Sequence, residues 1–237
     1  MAYQLEHIVP WGRSFDEYVQ MFALSERDLA KRILGCADGP ASFNATLTQR
    51  GGRVLSVDPL YAFSDQDIGR RIDDTFDEVL RQALENRHEF IWETIRSVEQ
   101  LGEVRMTAMD DFLADYPQGR LQGRYLPMSA PALALADDSF ELALCSHFLF
   151  LYSKHLNLDF HIETINELCR VSGEVRIFPL QQLGATLSPH VAPVEGFFVA
   201  KGYSVTRVPV SYRFQRGADV MLRIVTPKPS LGSVRSV

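Results

Sequence analysis

The 237 residues carry 24 basic against 30 acidic side chains, a formal charge of −6, with 46% hydrophobic and 23% charged residues. This composition excludes disordered, collagen-like and low-complexity classes, and a chain of this length buries enough surface to hold a core without disulfides or a structural metal. The acidic balance provides no global positive field toward nucleic-acid backbones or anionic lipid.

No apolar run reaches the roughly 20 residues of a membrane span. The start, MAYQLEHIVPWGRS, lacks a basic segment followed by an apolar one, so a soluble, cytoplasmic protein is expected. Cys36, Cys145 and Cys169 are odd in number and show no C-x-x-C spacing, so they signal neither a disulfide framework nor a zinc site.

In chain order, Ser14 with Glu17 and Ser25 with Asp28 are capping-box patterns, which predict two short helices within residues 1–30. Ile33-Leu34 then runs as a strand into Gly35-Cys36-Ala37-Asp38-Gly39-Pro40. A helix over 41–50 follows, stopped by Gly51-Gly52, and a second strand over Val54 to Val57 ends on Asp58-Pro59. From Ser64 to Pro117 the spacing becomes helical, with faces at Ile68/Ile72/Phe76/Val79/Ala83, at Ile91/Ile95/Val98 and at Met109/Phe112/Leu113/Tyr116. That is more than a crossover needs, so residues 64–117 are read as a three-helix insertion covering the substrate side. Strands are expected over 124–128, 140–146 and 174–179, and helices over 158–169 and 194–201. A closing hairpin of 203–214 and 219–226 turns at Gln215-Arg216-Gly217-Ala218. Alternating strands and helices predict one α/β unit over 1–226, a doubly wound, mostly parallel seven-stranded sheet with an antiparallel C-terminal hairpin, and a flexible tail over 227–237.

In such a sheet the ligand lies beyond the carboxyl ends of the strands, where a glycine turn lets it approach the backbone. Gly35 and Gly39 fall there, and Asp58 lies 19 residues after Gly39, where an acid takes hydrogen bonds from both hydroxyls of a ribose. A helix cap is the plain alternative for Asp58. A dinucleotide fingerprint fails, because Ala37 and Pro40 replace its other glycines. Asp38 repels a pyrophosphate but suits a ligand ammonium group.

At these residues the sequence resembles the class I S-adenosylmethionine-dependent methyltransferases. The resemblance rests on ILGCADGPASF (33–43), VLSVDP (54–59) and LALADDSFELALCSHFLFLY (133–152), and spans about 31–226 apart from the insertion. The wording of WGRSFDEYVQMF and ILGCADGPASFNA is similar to a bacterial subgroup without a settled substrate. The resemblance implies S-adenosylmethionine as cofactor, contacted by Arg13, Gly35, Cys36, Ala37, Asp38, Gly39, Asp58, Pro59, Ser129, Ala130 and Ser146. Ile33 stands where the family often has an acid, Ala37 where it has its second glycine, and Ser129-Ala130 where an acid and a small residue commonly face the adenine. Asp38, or Arg13 through the ligand carboxylate, can then substitute at the methionine end.

His147 directly follows the central strand on the rim where methyl and acceptor should meet, and an imidazole there can take a proton near neutral pH. Tyr152 and His155 are further catalytic candidates along the same loop, and the spacing of His147, His155 and His161 suggests no metal. Asp137 and Asp138 read as turn formers, and Cys145 as a small core residue. Trp11, Arg13, Tyr18 and Phe22 form an aromatic, arginine-bearing segment suited to capping a ligand, and Arg70, Arg71, His88 and Trp92 read as a solvated or packed helix face. Ser146-His147-Phe148-Leu149 replaces the Asn/Asp-Pro-Pro-aromatic signature of amino-group DNA methylation. With the acidic charge, this points to a small-molecule acceptor rather than DNA. A non-catalytic S-adenosylmethionine-binding module and, third, a nicotinamide-dependent oxidoreductase are the alternatives.

Overall fold

The computed structural model describes residues 10–227. The expected flexible tail lies outside them but for its first residue. Both predicted capping boxes form: Ser14 and Glu17 open α1 (Phe15–Met21), and Ser25 and Asp28 open α2 (Glu26–Leu29), each side chain satisfying a free amide of the other's backbone. The chain then runs β1 (Arg32–Cys36), α3 (Phe43–Gln49), β2 (Arg53–Val57), α4 (Asp65–Glu85), α5 (Val98–Leu121), β3 (Tyr125–Leu126), β4 (Leu142–Ser146), α6 (Leu158–Val171) and β5 (Glu174–Phe178). It continues with a two-residue ribbon of β6 (Gln181–Gln182) and β7 (Thr186–Leu187), then α7 (Val191–Ala200), β8 (Ser204–Pro209) and β9 (Val220–Val225).

Seven strands form one sheet in the order β3-β2-β1-β4-β5-β9-β8. The first five are parallel, and β9 is antiparallel to both β5 and β8. This is the Rossmann-like methyltransferase fold, with the helical insertion between its second and third strands. All five residues of β4 and of β5 are buried, as expected of central strands covered on both faces. The chain reverses strand order at β1, between β2 and β4, so the carboxyl ends of these three strands open on one crevice.

The insertion has two long helices rather than three. Residues 91–97 form no helix, because Phe90 bridges to Gln215 and the Ile91 amide donates to the Phe214 carbonyl at 2.7 Å, which pulls this stretch out toward the C-terminal segment. The third predicted face is the second half of α5, which continues past Pro117 to Leu121. Tertiary anchors outweigh the missing Pro117 donor. Tyr116 donates to the Tyr61 carbonyl at 2.9 Å and the Phe63 carbonyl at 3.0 Å, and Gly119 lies so close to Tyr125 that an added Cβ would come within 2.4 Å of its ring.

The first hairpin strand is shorter than its β-rich sequence suggests. It ends at Pro209 because Tyr212 and Phe214 turn their rings into the core instead of pairing along the ladder. The β6–β7 ribbon carries no hydrophobic alternation and was not predicted; Gly184 and Ala185 form its left-handed turn, with φ of 90° and 57°.

Candidate active site

The turn after β1 is shaped by two left-handed residues, Ala37 (φ 57°) and Gly39 (φ 54°). The departure from glycine at Ala37 thus keeps the backbone conformation, at a cost of roughly 1–2 kcal/mol for its Cβ. Asp58 clamps the turn. Its Oδ2 accepts from the Gly39 amide at 2.9 Å and its Oδ1 from the Leu60 amide at 2.8 Å, so it is also the cap of the short turn of helix over Pro59–Ala62. Tyr61 donates its hydroxyl to the Gly39 carbonyl at 2.8 Å from the other side.

Gly35 is part of this construction but does not line the crevice. A Cβ on it would lie 1.8 Å from Asp38 Oδ2, so glycine there makes room for the Asp38 carboxylate to fold back over the strand. Asp38 accepts from Tyr18 Oη at 2.9 Å and from Ser56 Oγ at 2.7 Å. Burial still pushes its carboxyl up to about 6, with the neighbouring Asp58 adding to the rise. Burial also raises the Asp58 carboxyl.

Below about pH 6 Asp38 is neutral, and above it Asp38 is an anion at the edge of the cavity. Because the folded value lies above the unfolded one, the stability this group confers is complete below about pH 4 and is lost as pH rises through 6. A cationic ligand beside it should bind more tightly as pH rises through 6, an inflection that Asp38→Asn abolishes in calorimetric titrations across pH 5–8. A pH-independent affinity in the wild type would count against contact with Asp38.

The N-terminal segment is pressed onto the same turn. The Arg13 carbonyl accepts from the Ser42 amide at 3.1 Å, and Gly12 packs against the Pro40 carbonyl, where a Cβ would approach to 2.1 Å. The Arg13 side chain is consequently half-buried, with its Nε out of reach of water: Nη1 donates to the Trp11 carbonyl at 2.5 Å, and Nε has no partner among the described residues. Burial and the nearby Arg105 lower its pKa.

At the end of β4, Ser146 Oγ lies 2.9 Å from His147 Nδ1. His147 has φ of 50°, its amide donates to the Phe178 carbonyl at 2.7 Å, and its ring stands edge-on to Phe178. Burial, with Arg13 and Arg105 nearby, pushes the imidazole well below its ordinary range, so it is neutral at pH 7.

These groups surround a cavity of about 970 Å³ at the carboxyl ends of β1, β2 and β4. Its lining includes Arg13, Cys36, Ala37, Asp38, Gly39, Asp58, Pro59, Ser129, Ala130, Ser146, His147 and Tyr152. Gly35 lies beneath the turn. His155 does not reach the cavity and is exposed, since the turn after Tyr152 carries it to the surface. Burial raises the Tyr152 pKa, so its hydroxyl stays protonated.

Sequence reasoning did not assign to the site the first half of α4, whose Asp67, Ile68, Arg70, Arg71 and Asp74 form part of the wall. It also missed Arg105. The signal for Arg105 was present, because it occupies the same α5 face as Leu101, Ala108 and Phe112, a charged residue in a core register.

Gly39 faces open space, with nothing within 4 Å of where a Cβ would stand. A side chain there projects into the cavity and is strained at positive φ. Gly39→Val should lower the melting temperature by several degrees through roughly 1–2 kcal/mol of strain and should abolish nucleoside binding. Normal ligand affinity in the folded variant would refute the assignment of this turn.

Among the described residues, no helix is long and apolar enough to cross a membrane. No protein-family profile matches the sequence. In solved structures the chain is similar to the PH0226 protein of Pyrococcus horikoshii, at 13% identity, TM-score 0.48, covering 90% of this chain and 89% of that one. It is also similar to the magnesium protoporphyrin IX methyltransferase of Synechocystis with bound S-adenosylmethionine, at 13% identity, TM-score 0.47, covering 90% and 78%. The uncharacterized protein MJ0045 of the archaeon Methanocaldococcus jannaschii is 33% identical over 223 residues, 93% of this chain and 97% of its own length, an archaeal relative where the motif wording pointed to a bacterial subgroup. By that extent and level of identity, the chain belongs to the MJ0045 family.

Proposed function

We propose that the protein is an S-adenosylmethionine-dependent methyltransferase acting on a small molecule. The observation that carries this is the cavity at the strand-order reversal, where the Gly39 turn, the acid-ended β2 and the half-buried Arg13 meet around one space. Its donor set suits that cofactor. Each Asp58 oxygen, already accepting one amide, retains a lone pair for a ribose hydroxyl; Asp38 suits an ammonium group, and the unpartnered Arg13 Nε a carboxylate. Ser129 and Ala130 offer the wall for a base.

When bound, S-adenosylmethionine supplies a methyl group on a sulfonium, an already activated electrophile. The chain then has to orient the acceptor, exclude water and, where the acceptor atom carries a proton, remove it. His147 is a neutral imidazole at the cavity rim, and Ser146 Oγ at Nδ1 fixes its ring. The acid in the glycine turn weighs against the pyrophosphate of a nicotinamide cofactor.

Calorimetry with S-adenosylhomocysteine and, in parallel, NAD tests the reading. Micromolar or tighter binding of the first alone supports it, and selective binding of NAD would overturn it. A non-catalytic binding module would bind the first and transfer no methyl group to any acceptor.

The first half of α4 walls this cavity and supports reading that part of the insertion as its cover. Saturation with S-adenosylhomocysteine should slow amide exchange in the first half of α4 while leaving β4 unchanged. Equal, high protection in both states would contradict a cover that opens.

A further inference from the structure

A smaller cavity of about 80 Å³ adjoins the large one, sharing Trp11, Arg13, His147 and Leu151 with it. Arg105 of α5 lines only this inner cavity and is completely buried. Arg105 Nη1 donates to Glu17 Oε2 at 2.5 Å, as does the Ser14 amide at 2.9 Å, and Tyr212 Oη donates to Glu17 Oε1 at 3.0 Å, so both oxygens of the single carboxylate are engaged. Arg105 Nε and Nη2 are buried and have no partner among the described residues.

Arg13 and Arg105 place two positive charges beside the one negative charge of Glu17. Buried cations and buried N–H groups ordinarily have partners, because removing them from water is expensive. Two idle N–H groups on one rigid guanidinium fork match the two oxygens of a carboxylate. The remaining wall is mostly apolar, including Val79, Ala83, Phe90, Leu101 and Phe214, with Gln215 and Tyr212 as its other polar members. With about 10–15 Å³ for each water-sized occupant, the cavity admits roughly half a dozen heavy atoms.

We infer that the methyl acceptor is a small apolar acid whose carboxylate is held by Arg105 Nε and Nη2 in the inner cavity, while its carbon skeleton extends past His147 into the large one. This rests on the methyltransferase reading above. Arg13, pressed onto the glycine turn, serves the cofactor side, whereas Arg105 faces only the inner cavity, so the two cations divide between two ligands.

The test is calorimetry on protein saturated with S-adenosylhomocysteine, titrated with formate, benzoate and phenylacetate and with the matched amides. At least one acid should bind roughly tenfold or more tightly than its amide, as expected for charge-assisted hydrogen bonds. In the double variant Glu17→Gln/Arg105→Gln, which removes the ion pair without leaving a lone buried charge, that preference should fall to near unity. Arg105→Lys, which still pairs Glu17 but lacks the fork, should reduce it severalfold and serves if the double variant does not fold.

Acids that bind no better than their amides while S-adenosylhomocysteine binds would overturn the inference alone. An undiminished preference in either folded variant would do the same. Failure of S-adenosylhomocysteine to bind the wild type would overturn the underlying reading, and the inference with it.

Discussion

Replacing Asp58 by alanine should weaken S-adenosylmethionine binding by roughly tenfold to a hundredfold or more. Each hydrogen bond from a ribose hydroxyl to an ionised acceptor is worth about 1.5–3 kcal/mol, and both would be lost together. The geometry adds a second loss. Without the carboxylate, the Gly39 and Leu60 amides are left without their acceptor, so the glycine turn loosens and the melting temperature should fall as well.

Asp58→Asn separates the two effects. Its amide oxygen can still cap Leu60, so most of the stability should return while the affinity remains reduced. Calorimetry beside thermal melts decides it, and unchanged affinity in folded Asp58→Ala would exclude a ribose contact.

His147→Asn should lower turnover by roughly 100-fold to 10,000-fold while leaving cofactor affinity nearly unchanged, because a proton acceptor acts in the transition state. Asparagine is the informative replacement. It tolerates the left-handed backbone that His147 adopts, so it removes the imidazole without adding strain.

The depressed pKa fixes the pH profile. With cofactor saturating, a base already neutral at pH 7 produces no loss of turnover as pH falls from 8 to 6, and turnover should decline only well below the ordinary histidine range. The same shift has a stability consequence of defined sign. The unfolded chain binds the proton more readily, so the contribution of His147 is present above about pH 6.5 and is lost as pH falls below it. Near-wild-type turnover in folded His147→Asn, once an acceptor is in hand, would eliminate the catalytic role and leave Tyr152 as the remaining candidate in the cavity.

The sheet and the glycine turn were readable because their signals are local. A strand ending in a glycine-bearing turn and a second strand ending in an acid declare themselves within a few residues, and the capping boxes state both ends of their own hydrogen bonds. What escaped the sequence depends on distant partners. Ile91, Ile95 and Val98 have helical spacing, yet the Phe214 carbonyl captures the backbone at Ile91 and no helix forms there.

Tyr212 and Phe214 have strong β propensity, yet their rings are worth more in the core than along a ladder. Asp38 stands in the turn as expected, but Tyr18 and Ser56, 20 residues before and 18 after it, turn its carboxylate inward. His155 sits only three residues beyond Tyr152, and one tight turn separates a buried side chain from an exposed one. The core register of Arg105 is visible in the sequence, but its partner is not, because Glu17 lies 88 residues away.

That last separation bears on how the protein is made. Glu17 joins Arg105, 88 residues downstream, and Tyr212, 195 residues downstream, so one carboxylate ties together the beginning, middle and end of the polypeptide. As the chain leaves the ribosome, the central strands can find one another early, but the inner cavity has no complete wall until the segment containing Tyr212 has emerged. Until then Glu17 and Arg105 are ions that favour water over burial. The part of the molecule that would recognise a substrate thus cannot be completed before Tyr212 is made, and a chain truncated before that residue cannot present it.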